Sequence, residues 1–139
     1  MRYLLYFAIL AYLASCKKNT DAPTVTLTET VDTTAKLLAS GIFQKGPYGT
    51  VSGKGELYKN PNGTYAVVLD SFTTTNGPDL YVYLSKQAMP VDFIEAGKLK
   101  STSGRQVYDL DMKPDTAQFK YISIHCKAYN HLFGYALLK

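Results

Sequence analysis

Short runs of β-branched and aromatic residues recur along this chain of 139 residues, and most of them end at a turn rich in Gly, Pro or Asn. Asn60-Pro61-Asn62-Gly63 is such a turn, and residues 64–71 after it are predicted to form the second arm of a hairpin. No segment after residue 40 has the apolar period of an amphipathic helix. The pattern therefore predicts an all-β fold, an antiparallel β-sandwich or flattened barrel.

Other strands are predicted from alternation and flanking turns. Leu80–Leu84 alternates cleanly, so its aliphatic side chains should point inward and its tyrosines outward or towards a second layer. Gly53 and Gly55, in a strand predicted over residues 50–58, indicate a β-bulge or a close approach of another backbone. Residues 85–97 are predicted to be irregular, and residues 33–39 to form at most one helical turn. Two further short strands are predicted at residues 98–100 and 106–110.

The chain closes on a predicted hairpin. Its arms are Tyr121–Cys126 and His131–Leu138, on either side of the polar segment 127–130. If that segment is a four-residue loop, Cys126 lies directly opposite His131, and directly opposed residues share a face of the sheet. The same register gives two further pairs, Ile124 with Phe133 and Ile122 with Tyr135.

The first residues have the pattern of a bacterial lipoprotein signal peptide. Arg2 supplies a positive n-region, and the apolar run Tyr3–Ala14 is too short for a permanent membrane span. The run ends in Leu13-Ala14-Ser15-Cys16, which matches a lipobox, whose cysteine is lipidated before the chain is cut ahead of it. Residues 1–15 are therefore predicted to be removed, with Cys16 as the lipidated first residue of the mature chain.

Residues 16–40 are predicted to be the lipidated N-terminus and an extended Thr-rich linker, with at most a short edge strand at Thr24–Thr30. The domain itself is predicted to span residues 41–139. Acyl chains on Cys16, palmitate among them, would hold it at a membrane surface without a spanning helix. Lys17 is not the acidic residue that retains bacterial lipoproteins in the inner membrane. By analogy, the predicted location is the outer membrane, facing an extracytoplasmic compartment such as the periplasm.

The charge pattern excludes one class of partner. The formal net charge is +4, but the longest basic cluster is Lys17-Lys18, and the other lysines are scattered singly. A nucleic-acid-binding surface concentrates its cations, so a nucleic-acid partner is not expected. A hydrolase is not expected either, because no Gly-x-Ser-x-Gly elbow occurs and neither histidine has a motif-placed acid and nucleophile.

Cys126 is the candidate reactive residue. With Cys16 lipidated, it has no cysteine partner in an oxidising compartment. A neighbouring imidazolium makes a thiol more reactive, and His131 would supply one if the predicted pair forms. Alternatively, Cys126 is a small core residue, because free cysteine is among the most buried residue types and Ile124 shares its face. The residue pattern leaves both interpretations open.

Metal and haem sites find few ligands in this chain. Cys126 and His131 have the Cys-x4-His spacing of blue copper proteins, but His125 points to the other face of its strand and no axial Met follows. Zinc lacks ligands for the same reason. The acidic stretch 109–115 departs from the EF-hand pattern at the positions that need Gly and Glu. Haem could take Cys126 or His131 as an axial ligand, although no Cys-x-x-Cys-His attachment motif occurs.

A series of ordered motifs resembles one known family. It opens with the corner Gly77-Pro78-Asp79, in which Pro fixes one dihedral angle and Asp can bond to nearby amides. The motifs lie at residues 77–85, 97–100, 104–110, 121–127 and 133–137. Together they are similar to the electron-transfer DM-thirteen domain family, over about residues 41–138.

That resemblance implies an extracytoplasmic β-sandwich whose lone cysteine acts in redox chemistry, as a bare thiol or as a ligand to a prosthetic group such as haem. Here that cysteine is Cys126. The chain departs from the family pattern beside it, since His125 stands where an aromatic residue is usual and His131 where an aliphatic one is usual.

Residues and resemblance together predict a membrane-anchored extracytoplasmic lipoprotein. Its electron-transfer domain would use Cys126, modulated by His131, with a redox or surface protein as partner. The alternative is a noncatalytic surface module that binds a protein or glycan through its tyrosines, with Cys126 merely packed.

Overall fold

The computed structural model describes residues 21–139, which form one sheet of nine β-strands and contain no helix. The strands are β1 (Leu27–Thr28), β2 (Lys36–Lys45), β3 (Val51–Lys59), β4 (Tyr65–Thr74), β5 (Leu80–Ser85), β6 (Phe93–Lys98), β7 (Ser103–Leu110), β8 (Tyr121–Cys126) and β9 (His131–Leu137). Their order across the sheet is β1-β7-β4-β3-β2-β9-β8-β5-β6. Every pair is antiparallel except β1 with β7. The all-β prediction is confirmed. Over the same residues, nothing has the length and hydrophobicity of a membrane-spanning helix.

The sheet curls into an open half-barrel. Strand β6, at one edge, comes into contact with β7, which lies next to the other edge. The concave side encloses a single apolar cluster drawn from all the long strands. Its fully buried members include Leu57, Val67, Leu69, Val82, Leu84, Ile122 and Ile124.

Strand β5 shows how the sequence pattern places side chains. Its three aliphatic residues are buried in the apolar cluster, whereas Tyr81 and Tyr83 point to the outer face, as the alternation predicted. Tyr83 is nevertheless only 2% exposed. The ring of Phe93, on the neighbouring strand β6, lies 4.4 Å from the Tyr83 ring and helps to cover it.

The loops gather at two ends of the half-barrel, because successive strands run in opposite directions. The hairpin end, as we call it, carries the loops 46–50, 75–79, 99–102 and 127–130. The opposite end carries the loops 60–64, 86–92 and 111–120.

The described chain begins at the hairpin end. The side chain of Asn76 accepts a hydrogen bond from the Ala22 amide at 3.0 Å and donates one to the Ala22 carbonyl at 2.7 Å. The Thr102 amide donates to the Pro23 carbonyl at 2.8 Å. The chain then runs along the sheet to β1, a two-residue edge strand on β7 and the short edge strand that the sequence predicted.

The predicted linker is therefore folded onto the domain over its described part. Ala22 is only 5% exposed, and the boundary predicted between residues 40 and 41 falls inside β2. The helical turn predicted at residues 33–39 is wrong, because Lys36 already pairs with β3. The signal peptide 1–15 and the lipidation residue Cys16 lie outside the described residues.

Two local predictions have opposite outcomes. The irregular segment predicted at residues 85–97 is wrong at its end, because Phe93–Lys98 forms edge strand β6 against β5. Edge strands are half exposed, which weakens the apolar signal that a sequence pattern can detect. The β-bulge predicted at Gly53 is confirmed, since the register shifts between Ser52 and Lys54, and Gly53 has a φ of 105°.

Candidate functional site

The candidate site lies where β8 and β9 meet their hairpin loop. Residues 127–130 form that loop, and Cys126 pairs with His131 across the ladder. Both parts of this prediction are confirmed. Directly opposed residues have Cβ atoms about 5 Å apart, so the sulfur and the imidazole start from neighbouring positions on the backbone.

The register predicted further along the hairpin is wrong by one residue. The observed pairs are Ile124 with Gly134, and Ile122 with Ala136. Between Ile124 and His125 the ladder shifts, which leaves Phe133 as the extra residue of a β-bulge on β9. A bulge cannot be read from loop length alone, because it depends on what packs beneath the strand.

Gly134 explains the shift. A Cβ atom at this position would lie 2.6 Å from the Gln44 carbonyl oxygen and 2.9 Å from Cβ of Val51. No side chain therefore fits where β9 crosses β2 and the start of β3. The glycine takes the inward position opposite Ile124, and the bulge moves Phe133 aside.

Cys126 is the last residue of β8 and faces the concave side. It is a free cysteine, 1% exposed, and belongs to the central apolar cluster together with Ile124. On its other side it pairs with Leu80 of β5. In the closed hairpin the thiol is thus shielded from solvent by aliphatic side chains.

His131 has a different environment. Its ring stacks on that of Tyr48, with centroids 3.6 Å apart and planes 4° from parallel. Tyr129, in the hairpin loop, lies 5.9 Å away at 31°. These three rings form the aromatic stack. Tyr48 is 44% and Tyr129 64% exposed, so the stack is a surface feature of the hairpin end.

His125 points to the outer face, as predicted, and is 6% exposed. Its Nε2 lies 2.9 Å from Asn130 Oδ1, so the ring donates through Nε2. Its Nδ1 is buried and has no hydrogen-bond partner among the described residues. Burial lowers the pKa of His125 below 6.5; the Asn130 bond opposes this, and the nearby His131 adds to it. His125 is therefore neutral at physiological pH.

The corner Gly77-Pro78-Asp79 supports the hairpin from the next loop. A Cβ atom at Gly77 would lie 2.9 Å from Cζ of Phe133 and 3.1 Å from Cδ2 of Leu80. The Asp79 carbonyl accepts a hydrogen bond from the Lys127 amide at 2.9 Å. The corner makes room for the bulged Phe133 and holds the start of the hairpin loop, so its role is to position the site.

A second layer covers the outer face next to His125. The Tyr83 ring meets the His125 ring edge-on, with centroids 5.7 Å apart. Burial, with a smaller effect of the nearby Glu95 carboxylate, raises the pKa of Tyr83 to about 12, so its phenol stays protonated. Lys127 Nζ lies 4.7 Å above the Tyr81 ring and 3.1 Å from Glu95 Oε2. The Tyr83 and Tyr81 rings and the exposed ion pair of Lys127 with Glu95 thus cover the outer face beside His125.

The described residues do not fit a metal ion or a haem. Residues 21–139 contain no group of three or more His, Cys, Asp or Glu side chains that could hold a metal. Haem ligation at Cys126 needs an open space beside the sulfur, but that residue is sealed in the apolar cluster. A cavity of about 740 Å³ lies at the opposite end, lined by Asn60, Asp109 and neighbours but by no Cys or His.

Sequence reasoning missed two residues of this site. Tyr48 contacts His131 from the β2–β3 loop, and no local pattern links two segments so far apart in the chain. Asn130 has a φ of 54°, in the left-handed region. Its signal was present in the sequence, since Asn tolerates that conformation better than most residues and terminates many hairpin loops.

Comparison with known proteins supplies the family. No curated protein and no solved structure matches the chain. A family model described as Electron transfer DM13 matches residues 43–138, which is more than half of the chain and includes β3 to β9, Cys126 and His131. This is the DM-thirteen family that the motifs predicted. The chain therefore belongs to the electron transfer DM13 family.

Proposed function

We propose that this protein is a lipid-anchored extracytoplasmic lipoprotein whose domain takes part in electron transfer through the thiol of Cys126. The observation that carries the proposal is the family match over residues 43–138, which contains Cys126 as its only cysteine. The lipobox at Leu13-Ala14-Ser15-Cys16 supports the address. Acyl chains on Cys16, with palmitate among them, anchor the protein in the bacterial outer membrane.

Thiol–disulfide exchange is the chemistry that these residues support best, since they do not fit a haem or a metal. The Cys126 thiolate attacks one sulfur of a disulfide in a partner protein. An S–S bond forms to Cys126, the bond within the partner breaks, and the departing sulfur takes up the proton that Cys126 released. A dithiol reductant then attacks the Cys126 sulfur, which releases the second partner thiol, and its other thiol displaces Cys126. The partner is left as a dithiol, the reductant as a disulfide and Cys126 as the thiol.

The reaction requires the hairpin end to open, because Cys126 is 1% exposed when it is closed. Several features favour local opening there. Cys126 is the last residue of β8, all four loop residues are exposed, and the bulge interrupts the ladder on the other side. The buried Nδ1 of His125, which finds no hydrogen-bond partner within residues 21–139, adds the cost of an unsatisfied polar atom. Segments of this kind open at lower free energy than the whole domain.

His131 acts as the modulator of the thiol in this proposal. It lies across the ladder from Cys126, and an imidazole next to a cysteine is one of the environments that make a thiol reactive. Its stacking on Tyr48 holds the ring at the hairpin end, beside the loop that has to open.

Thiol labelling of the protein purified from membranes tests the proposal. Lipidation of Cys16 leaves Cys126 as the only thiol, and Cys126→Ser is the blank. If the hairpin opens locally, the thiol reacts about tenfold or more faster than global unfolding allows, because each ~1.4 kcal/mol by which local opening is easier than unfolding raises the exposed fraction about tenfold.

Labelling that follows global unfolding, in a protein without visible absorption, would show that Cys126 is merely packed. The electron-transfer role would then be wrong for this residue. Labelling of a second thiol in the membrane-purified protein would instead refute the lipid anchor on Cys16.

A further inference from the structure

The folded chain begins at one end of the half-barrel, and that end is the one that carries the candidate site. Asn76 binds both backbone groups of Ala22, and Thr102 binds Pro23. Both of these partners belong to the hairpin end. The same end holds Cys126 and the aromatic stack of Tyr48, Tyr129 and His131.

The tether left between lipid and fold is short. Ala22 is six residues after Cys16 in the sequence. Six residues span at most about 22 Å even when fully extended. Residues 22–40, which would have lengthened the tether, pack along the sheet instead.

The opposite end lies beyond the reach of this tether. Strands β2 and β4 each have ten residues between the two ends. Ten residues cover about 30 Å along a strand, and about 25 Å along the axis at the tilt usual in barrels. Loops add to that height. An inverted domain would therefore need more chain than residues 16–22 provide.

The surface of the hairpin end suits an interface between water and lipid. Tyr48 and Tyr129 are 44% and 64% exposed, and Val25, next to the point where the chain enters, is 69% exposed. Tyrosine is enriched at membrane surfaces because its ring prefers the apolar side and its hydroxyl stays hydrated. Lys45, which is exposed, flanks the loop 46–50 and can contact lipid phosphates.

We propose that the hairpin end lies against the surface of the lipid bilayer, with Tyr48 and Tyr129 among the headgroups. The inference rests on the lipid anchor of the proposed function, and it adds the orientation of the domain. Cys126 then faces the membrane across its own hairpin loop. The partner whose disulfide reacts with Cys126 is then a protein in the membrane or bound at its surface, with that disulfide close to the lipid headgroups.

Single-tryptophan variants test the orientation, because the chain has no tryptophan of its own. Tyr129→Trp places an indole in the hairpin loop. Met112→Trp is the matched control, since Met112 is 59% exposed in a loop of the opposite end. Each full-length variant is purified from membranes and reconstituted into phosphatidylcholine–phosphatidylglycerol vesicles. Fluorescence is compared with and without bromine on the acyl chains.

The expected result is quenching several-fold stronger at position 129 than at position 112, with a blue shift at position 129 alone. Equal quenching at both positions, or stronger quenching at position 112, would overturn the orientation. Both substituted side chains are exposed, so folding is preserved, and circular dichroism checks it.

The two proposals fail in different ways. A protein that a carbonate wash releases from the vesicles has no acyl anchor, which refutes the lipoprotein address and the orientation with it. A protein that stays bound and shows the expected quenching, but whose Cys126 reacts only on global unfolding, keeps the orientation and loses the thiol chemistry.

Discussion

Gly134→Ala is the substitution that most directly tests the register at the candidate site. The new Cβ would lie 2.6 Å from the Gln44 carbonyl oxygen, 2.9 Å from Val51 Cβ and 2.9 Å from Val51 Cγ2. Contacts this short cannot be relieved by a rotamer change, because one neighbour is backbone and the other a β-branched side chain. The strand must move away from β2, or β9 must slip by one residue.

Overpacking a well-packed core costs about 1–3 kcal/mol, and a conflict with backbone belongs at the upper limit, about 3 kcal/mol. With a urea m value of roughly 1.5 kcal/mol per molar for a domain of this size, the unfolding midpoint should fall by about 2 M. The midpoint of thermal unfolding should fall by about 10 °C. Cys126 should also react faster with a thiol probe, since the pair next to the bulge is weakened.

Gly63→Ala is the control for conformational strain alone. Gly63 has a φ of 86°, but a Cβ there meets nothing within 4 Å. The Gly63→Ala variant should lose about 1 kcal/mol of folding stability, and the reactivity of its Cys126 thiol should be unchanged. If Gly134→Ala loses no more stability than this control, the explanation of the bulge by the space beneath Gly134 is incorrect.

Two further outcomes are expected. The free energy of unfolding should be highest above pH 6.5 and should fall as the pH is lowered towards the depressed pKa of folded His125, because the unfolded chain takes up the proton first. His125→Gln should reduce this dependence of stability on pH in urea melts. An unchanged dependence would show that other groups cause it. Asn76→Ala should remove both hydrogen bonds to Ala22, lower stability by about 1–2 kcal/mol and expose residues 22–35 to proteases. Asn76→Asp should lose at least as much, since a carboxylate oxygen would replace the amide donor and face the Ala22 carbonyl oxygen. Equal protease resistance in all three proteins would show that Asn76 does not hold the segment.

Local patterns predicted what depends on local chemistry. The alternation in Leu80–Leu84 placed its side chains correctly, and the loop length at residues 127–130 paired Cys126 with His131. Both follow from the two-residue period of a strand and from the geometry of a short hairpin.

Features that depend on distant segments could not be predicted in this way. The bulge at Phe133 follows from the space beneath Gly134, which β2 and β3 define. The packing of residues 22–40 depends on Asn76, for which the sequence pattern predicts only a place in a turn. The stack of His131 on Tyr48 joins two segments far apart in the chain. The pairing of Cys126 with His131 was therefore predictable, but the apolar environment of the thiol and the aromatic environment of the imidazole were not.

The margins of the sheet would matter for this protein if the proposed lipid anchor holds it on a membrane. Lipoproteins confined to a plane meet one another at high local density, and a long free strand would invite edge-to-edge pairing between copies. Here one margin is closed by β1, only two residues long, which covers part of β7. The other is β6, a short strand whose ladder is interrupted near Gly97, at a φ of 148°. Neither margin offers a flat template, so crowding in two dimensions should leave each copy free to meet its own partners.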